Sequence, residues 1–202
     1  MAPPRKHDTD TILDAARTLV LRSGPRAAGV AAIARESGAP VGTLYHRFGS
    51  RDAILAAAWL RALERFQARA LAAAADASDP GESGDAVATG AAMAAAVVGF
   101  SRDMPEDAGL LLSIRRDDLL DAAPGPEVRA RLEEINAPLE AEVRRIAREL
   151  HGRADARGLD AVTRAVVDLP YAAIRRYGRA ERLPSWLEDD VRDSARVLLE
   201  RI

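Results

Sequence analysis

The side chains in this sequence that carry chemistry are few, and their spacing narrows what they do. Its three histidines, His7, His46 and His151, form no metal-ligand spacing. There is no cysteine, which removes disulfides, thiolate metal sites and thiol nucleophiles together. Asp117, Asp118 and Asp121 spell D-D-x-x-D, a spacing able to hold magnesium and a diphosphate. No second metal motif accompanies it, and a solvated acidic turn beside Arg115 and Arg116 accounts for it. Gly81-Glu82-Ser83-Gly84 lacks the G-x-S-x-G of a nucleophile elbow, and no strand precedes it. No catalytic residue, metal or cofactor is therefore expected, and the chain reads as a protein that is not an enzyme. A denser group remains: Pro40, Val41, Gly42, Thr43, Tyr45, His46 and Arg51, with Arg26 upstream. These are residues that donate hydrogen bonds and offer small apolar surfaces.

The elements that must position them lie between Val30 and Phe48, VAAIARESGAPVGTLYHRF. This is the pattern of a helix-turn-helix. Ile33 and Leu44 are spaced to meet across the turn, and Ala34 is small where the helices cross. Gly38, directly after a helical run, is the expected left-handed residue. The second helix of such a motif enters the major groove of DNA. Its start is expected near Pro40, whose missing N–H and fixed φ suit a first helical position. Gly29 stands at the N-cap of the preceding helix, where a hydroxyl serves better.

The 202 residues carry a net charge of −2, which by itself argues against a polyanionic partner. The distribution reverses that impression. Residues 1–51 hold eight Lys and Arg against four acids, net +4, and the remainder is net −6. A basic headpiece on an acidic body is what phosphate binding by one end requires. No apolar run approaches the roughly 20 residues of a membrane helix, and the N-terminus MAPPRKHDTD lacks a signal-peptide core. A cytoplasmic protein is expected.

Long amphipathic segments without alternating strand patterns predict an all-α fold. Residues 1–8 are expected to be a disordered arm. A first helix follows from Thr9, with Asp10 as cap and Gly24 as stop. After the helix-turn-helix, Ser50 is expected to cap a long fourth helix whose buried face carries Ile54, Leu55, Ala58, Trp59, Leu63 and Phe66. DASDPGESGD and APGPE read as linkers. Further helices are expected over about 84–103, from Pro105 through Ile114, from the second linker to Gly152 with a kink at Pro138, over 158–178 with Pro170 inside, and over 185–201.

Residues ILDAARTLVLRSG, VAAIARESG and GTLYHRFGSRDAIL, taken in order, closely resemble the DNA-binding domain of the tetracycline-repressor (TetR) family of bacterial transcription regulators. The resemblance covers the first quarter to third of the chain. It implies a DNA-binding domain over residues 1–50 and a helical effector-binding and dimerisation domain over residues 51–202, bridged by the fourth helix. It assigns Thr43 and Tyr45 to the DNA face, Tyr45 as a phosphate contact, and Arg51 to the family's basic residue opening helix 4. A phenol hydroxyl and a guanidinium are good phosphate donors, and the methyls of Val41 and Thr43 suit thymine methyls. Gly29 and Pro40 depart from the family's usual hydroxyl residues.

On helices that surround the family's ligand cavity, Trp59, Phe66, Met93, Phe100, Met104 and Tyr171 are the pocket candidates. Few charged residues share those faces, which favours a hydrophobic or weakly polar small-molecule effector. The leading expectation is a homodimeric, ligand-responsive transcriptional repressor on a palindromic operator, dimerised by its two C-terminal helices. Two alternatives are a helical ligand-binding or interaction protein with lost or weakened DNA binding, and a magnesium enzyme built on Asp117, Asp118 and Asp121.

Overall fold

The computed structural model describes residues 8–78, 85–122, 125–177 and 182–201. All regular structure among them is helical. Most of the N-terminal arm, with His7, and Gly81-Glu82-Ser83-Gly84 lie outside the described residues.

The chain divides into two compact units, one formed by 1–63 with 106–135 and the other by 64–105 with 136–202. In the first unit α1 spans Thr9–Ser23, a single 3-10 turn spans Pro25–Ala27, and α2 (Val30–Ser37) and α3 (Val41–Phe48) form the helix-turn-helix. Asp8, not the expected Asp10, caps α1 by accepting from Asp10 N at 3.3 Å. Asp10 sits within the first turn and pairs instead with Arg61. Helix α4 (Arg51–Ala77) opens on Ser50, whose Oγ accepts from Ala53 N at 3.1 Å. Its residues are shared between the units, changing over after Leu63.

Helix α5 (Ala86–Asp103) belongs to the second unit, whereas α6 (Pro105–Ser113), α7 (Arg116–Asp121) and α8 (Pro126–Glu134) fall almost entirely in the first. The reason lies in what α6 brings to α1 and α4. Asp107, buried at 2% exposure, pairs with Arg17 of α1, which also meets Glu106 at 2.5 Å and Asp14 at 3.3 Å. Arg61 of α4 binds Asp10 at 2.6 Å and Asp14 at 2.5 Å. Burial works against its charge, but hydrogen bonds to both carboxylates hold its pKa above the ordinary value. Gly109 lies under Leu21, where an added Cβ would come within 2.9 Å of Leu21 Cδ2. The Trp59 indole N–H donates to the Ile114 carbonyl at 3.1 Å. Asp117, Asp118 and Asp121 all stand exposed on or at the end of the short α7, where the sequence suggests only a turn.

The expected kink at Pro138 is instead a break. Helix α8 ends at Glu134 and α9 (Ala137–His151) begins with Pro138 in its first turn. Proline fits there because an N–H in the first turn has no helical acceptor. Pro170 acts differently. A π-helical turn, Arg164–Asp168, precedes it between α10 (Ala156–Thr163) and α11 (Leu169–Tyr177). The Pro170 ring would collide with the carbonyl four residues back, and the wider turn relieves that clash without ending the run. Helix α12, Leu187–Glu200, completes the chain's regular structure. It packs on α5 so closely at Gly90 that an added Cβ would lie 2.5 Å from Leu199 Cδ1. Met93, Val143, Ile146, Val162, Val166 and Leu199 share this unit's core.

Candidate nucleic-acid interface

The site is built on two eight-residue helices and the short path between them. Gly38 adopts left-handed backbone (φ 69°, ψ 7°), as a sharp turn after a helix requires. Ser37 adds a stitch that the sequence pattern did not single out. Its Oγ donates to Ile33 O at 2.7 Å and accepts from Ala39 N at 3.3 Å. Ile33 and Leu44 are both fully buried, and Ala34 is buried beside the turn. Truncating either large side chain to Ala would cost about 2–5 kcal/mol, so the angle at which α3 is presented is held by core packing.

Pro40 is the N-cap of α3 (φ −60°, ψ 140°) and not its first helical residue, so the helix begins one position later than expected, at Val41. Neither Gly29 nor Pro40 supplies a side-chain cap. The uncapped first-turn amides are groups that a phosphate oxygen satisfies. With Leu44 turned inward, Val41, Gly42, Tyr45 and His46 are exposed as two adjacent i, i+4 rows, and Thr43 is half-buried at their edge. Tyr45 is 53% exposed and Val41 42%, one helical turn apart on the same face. Gly42 has no neighbour within 4 Å of an added Cβ and no positive φ. Nothing inside the chain demands glycine there.

The cations divide into two groups. Arg26 and Arg35 are exposed and form no ion pair among the described residues. Arg47 reaches back to Thr9 Oγ1 at 3.0 Å. Arg51, expected on the DNA face, also has partners inside the headpiece. Its Nε donates to Ala28 O at 3.1 Å, its Nη2 to Pro25 O, and its Nη1 to Asp52 Oδ1 at 2.6 Å. Three of the guanidinium's N–H donors are thus engaged within the headpiece, anchoring the loop before α2. A carbonyl partner 23 or 26 residues away leaves no mark in local sequence.

A model of bacterial regulatory proteins, tetR family, matches residues 12–58, the stretch that contains this site. The headpiece and the fold are those of the tetR family. Among solved structures, the fatty acid degradation regulator FadR from Bacillus halodurans superposes with a TM-score of 0.71 at 16% identity, covering 96% of this chain and 100% of that one. The TetR family regulator PfmR from Thermus thermophilus gives 0.63 at 21% identity, covering 94% and 97%. A TetR-like regulator from Rhodococcus sp. RHA1 gives 0.65 at 20% identity, covering 100% and 97%. No curated protein matches the chain.

The six pocket candidates of this TetR-fold chain do not fall in one unit. Trp59 lies in the first with its N–H satisfied by Ile114 O, and the other five lie in the second. Phe66 meets Phe100 edge-on, ring centroids 5.5 Å apart, and Met93 is core. Met104 and Tyr171 are exposed, at 41% and 42%. Met104 follows the last turn of α5, where its non-helical backbone (φ −127°, ψ 59°) leaves the helix. In α11 the buried pair is Pro170 and Ile174, which turns Tyr171 outward. Among the described residues no three or more His, Asp or Glu side chains are grouped to hold a metal ion, and no helix is long and apolar enough to cross a membrane.

Proposed function

We propose that this chain is a ligand-responsive transcriptional repressor that binds a palindromic operator as a homodimer, reading DNA with α3. The observation that carries this reading is the exposed face of Val41, Gly42, Tyr45 and His46, flanked by two helix N-termini without side-chain caps. Pro40, Val41, Gly42 and Thr43 meet base edges, Tyr45 and the first-turn amides of α2 and α3 hold phosphates, and Arg26 and His46 add contacts. Arg51 serves by positioning the loop ahead of α2. Few side chains here are capable of bidentate base contacts, so DNA shape and bridging water carry part of the specificity.

Division of labour falls near residue 50, with the headpiece before it and the effector and dimer functions after it. Exposed apolar side chains on the C-terminal helices support self-association: Val167 before α11, Tyr171 on it, and Val197 and Leu198 on α12. A two-fold dimer presents its recognition helices about one DNA turn apart, ~34–36 Å, or a multiple of it. A hydrophobic or weakly polar effector, held among residues such as Phe66, Met93 and Phe100, acts through α4. Its binding lowers operator affinity by a coupling of about 1–3 kcal/mol.

The test is selection of bound fragments from random or genomic DNA, followed by anisotropy titration across salt. A palindromic consensus with steep salt dependence is expected. A chain showing no salt-sensitive duplex binding would instead be a helical ligand-binding protein.

A further inference from the structure

At the end of α9, Gly152 takes left-handed backbone (φ 69°, ψ −4°) and turns the chain toward α10, whose N-cap Asp155 accepts from Gly158 N at 2.8 Å. Here a cavity of about 440 Å³ is walled by His151, Arg153, Asp155, Arg157, Gly158 and Arg201. A second hollow of about 360 Å³ shares Arg157 and Arg201 with it and adds Arg164, Ala161 and Leu198. The His151 ring packs over Gly158 so tightly that a Cβ there would lie 2.9 Å from His151 Cδ2. That ring's Nε2 is buried with no hydrogen-bond partner among the described residues.

The charges around these hollows are not balanced. Arg153 Nε pairs with Asp155 Oδ2 at 2.8 Å, and Arg164 Nε with Asp160 Oδ2 at 3.2 Å. Arg157 and Arg201 line both hollows, yet neither forms an ion pair among the described residues. The Asp155 carboxyl is held below its ordinary value chiefly by the Gly158 N–H, with Arg153, His151 and Arg157 reinforcing it. Two guanidinium forks that pair with no carboxylate among the described residues offer up to about ten N–H donors to a carboxylate or phosphate. Ala161 and Leu198, beside them, supply an apolar floor.

We propose that the joined hollows bind an organic anion, its carboxylate or phosphate between Arg157 and Arg201 and its apolar part over Ala161 and Leu198. The site depends on neither the DNA face nor the pocket candidates. Leu198 also belongs to the surface offered for self-association, so oligomeric state is followed alongside binding.

Calorimetric titration of the full chain with octanoate, octyl phosphate and inorganic phosphate, at matched ionic strength, tests it. Saturable binding of one octyl probe per chain is expected, with inorganic phosphate weaker for want of an apolar body. The preference between octanoate and octyl phosphate names the head group. The double variant Arg157→Gln with Arg201→Gln should weaken octyl-probe binding by about tenfold or more, and the corresponding double Lys variant by less, since charge remains but the planar fork is lost. Leu198→Ser should bring the octyl probes toward inorganic phosphate. Arg192→Gln, on α12 but outside both hollows, should change nothing. The proposal is overturned by absence of saturable binding for all three probes. It is equally overturned by octyl binding indifferent to the Arg157 and Arg201 substitutions, or by Arg192→Gln acting as strongly as they do.

Discussion

Replacing Arg51 by Ala separates a phosphate contact from a structural anchor. The substitution removes three hydrogen bonds, to Ala28 O, Pro25 O and Asp52 Oδ1. Hydrogen bonds to a charged group contribute about 1.5–3 kcal/mol each, but this side chain is 32% exposed and water replaces part of what is lost. A net destabilisation of about 2 kcal/mol follows, roughly a thirtyfold change in the unfolding equilibrium. Urea unfolding in a Trp186→Phe background reads it, because Trp59, 7% exposed and bonded to Ile114 O, then reports the first unit alone. Under conditions where the variant stays folded, the log-log salt slope of duplex binding should be unchanged, since neutralising one phosphate is worth about 0.9 in that slope. Arg51→Lys should recover little stability, because an ammonium cannot reproduce the forked geometry at two carbonyls. A slope reduced by about 1 with unaltered unfolding would refute the anchor role and return Arg51 to the phosphate backbone.

Gly42→Ala, in the first turn of α3, should stabilise the headpiece by about 0.4–1 kcal/mol, because alanine lowers the unfolded chain's entropy at a position whose backbone it can adopt and nothing lies near its missing Cβ. The same change should weaken operator binding in anisotropy titrations, and equal or tighter binding would dismiss close DNA approach as the reason for glycine. Asp107→Ala should cost about 3–5 kcal/mol, the usual penalty for removing one partner of a buried pair, measured by the same Trp59 signal. A loss under about 1 kcal/mol would show that Arg17 finds full compensation in Asp14 and Glu106. Asp155, with its folded pKa lowered, stabilises α10 above its unfolded pKa, and that contribution fades as pH falls through the lower folded value. Asp155→Asn should therefore flatten the acid side of the stability curve, a difference visible in thermal melts as pH falls below about 4.

Sequence by itself determined the parts of this protein that local periodicity and backbone chemistry encode. Ile33 and Leu44 announced their burial, Gly38 its positive φ, Ser50 its capping role, and the tetR match falls on the same residues. The outward face of α3 was legible for the same reason: once Leu44 points inward, helical geometry sends Val41 and Tyr45 the other way. Tertiary structure decided which partners the charged and aromatic groups find. Arg51 turns to carbonyls of the preceding loop, Arg17 reaches Asp107 far along the chain, and Glu106 to Ile135 joins the headpiece's compact unit rather than its sequence neighbours. Met104 and Tyr171 share the helical spacing of core residues yet face outward. Periodicity states that one face of a helix avoids water, but not which surface covers it. A long-range ion pair has no periodicity at all, and only the folded chain brings its two ends together.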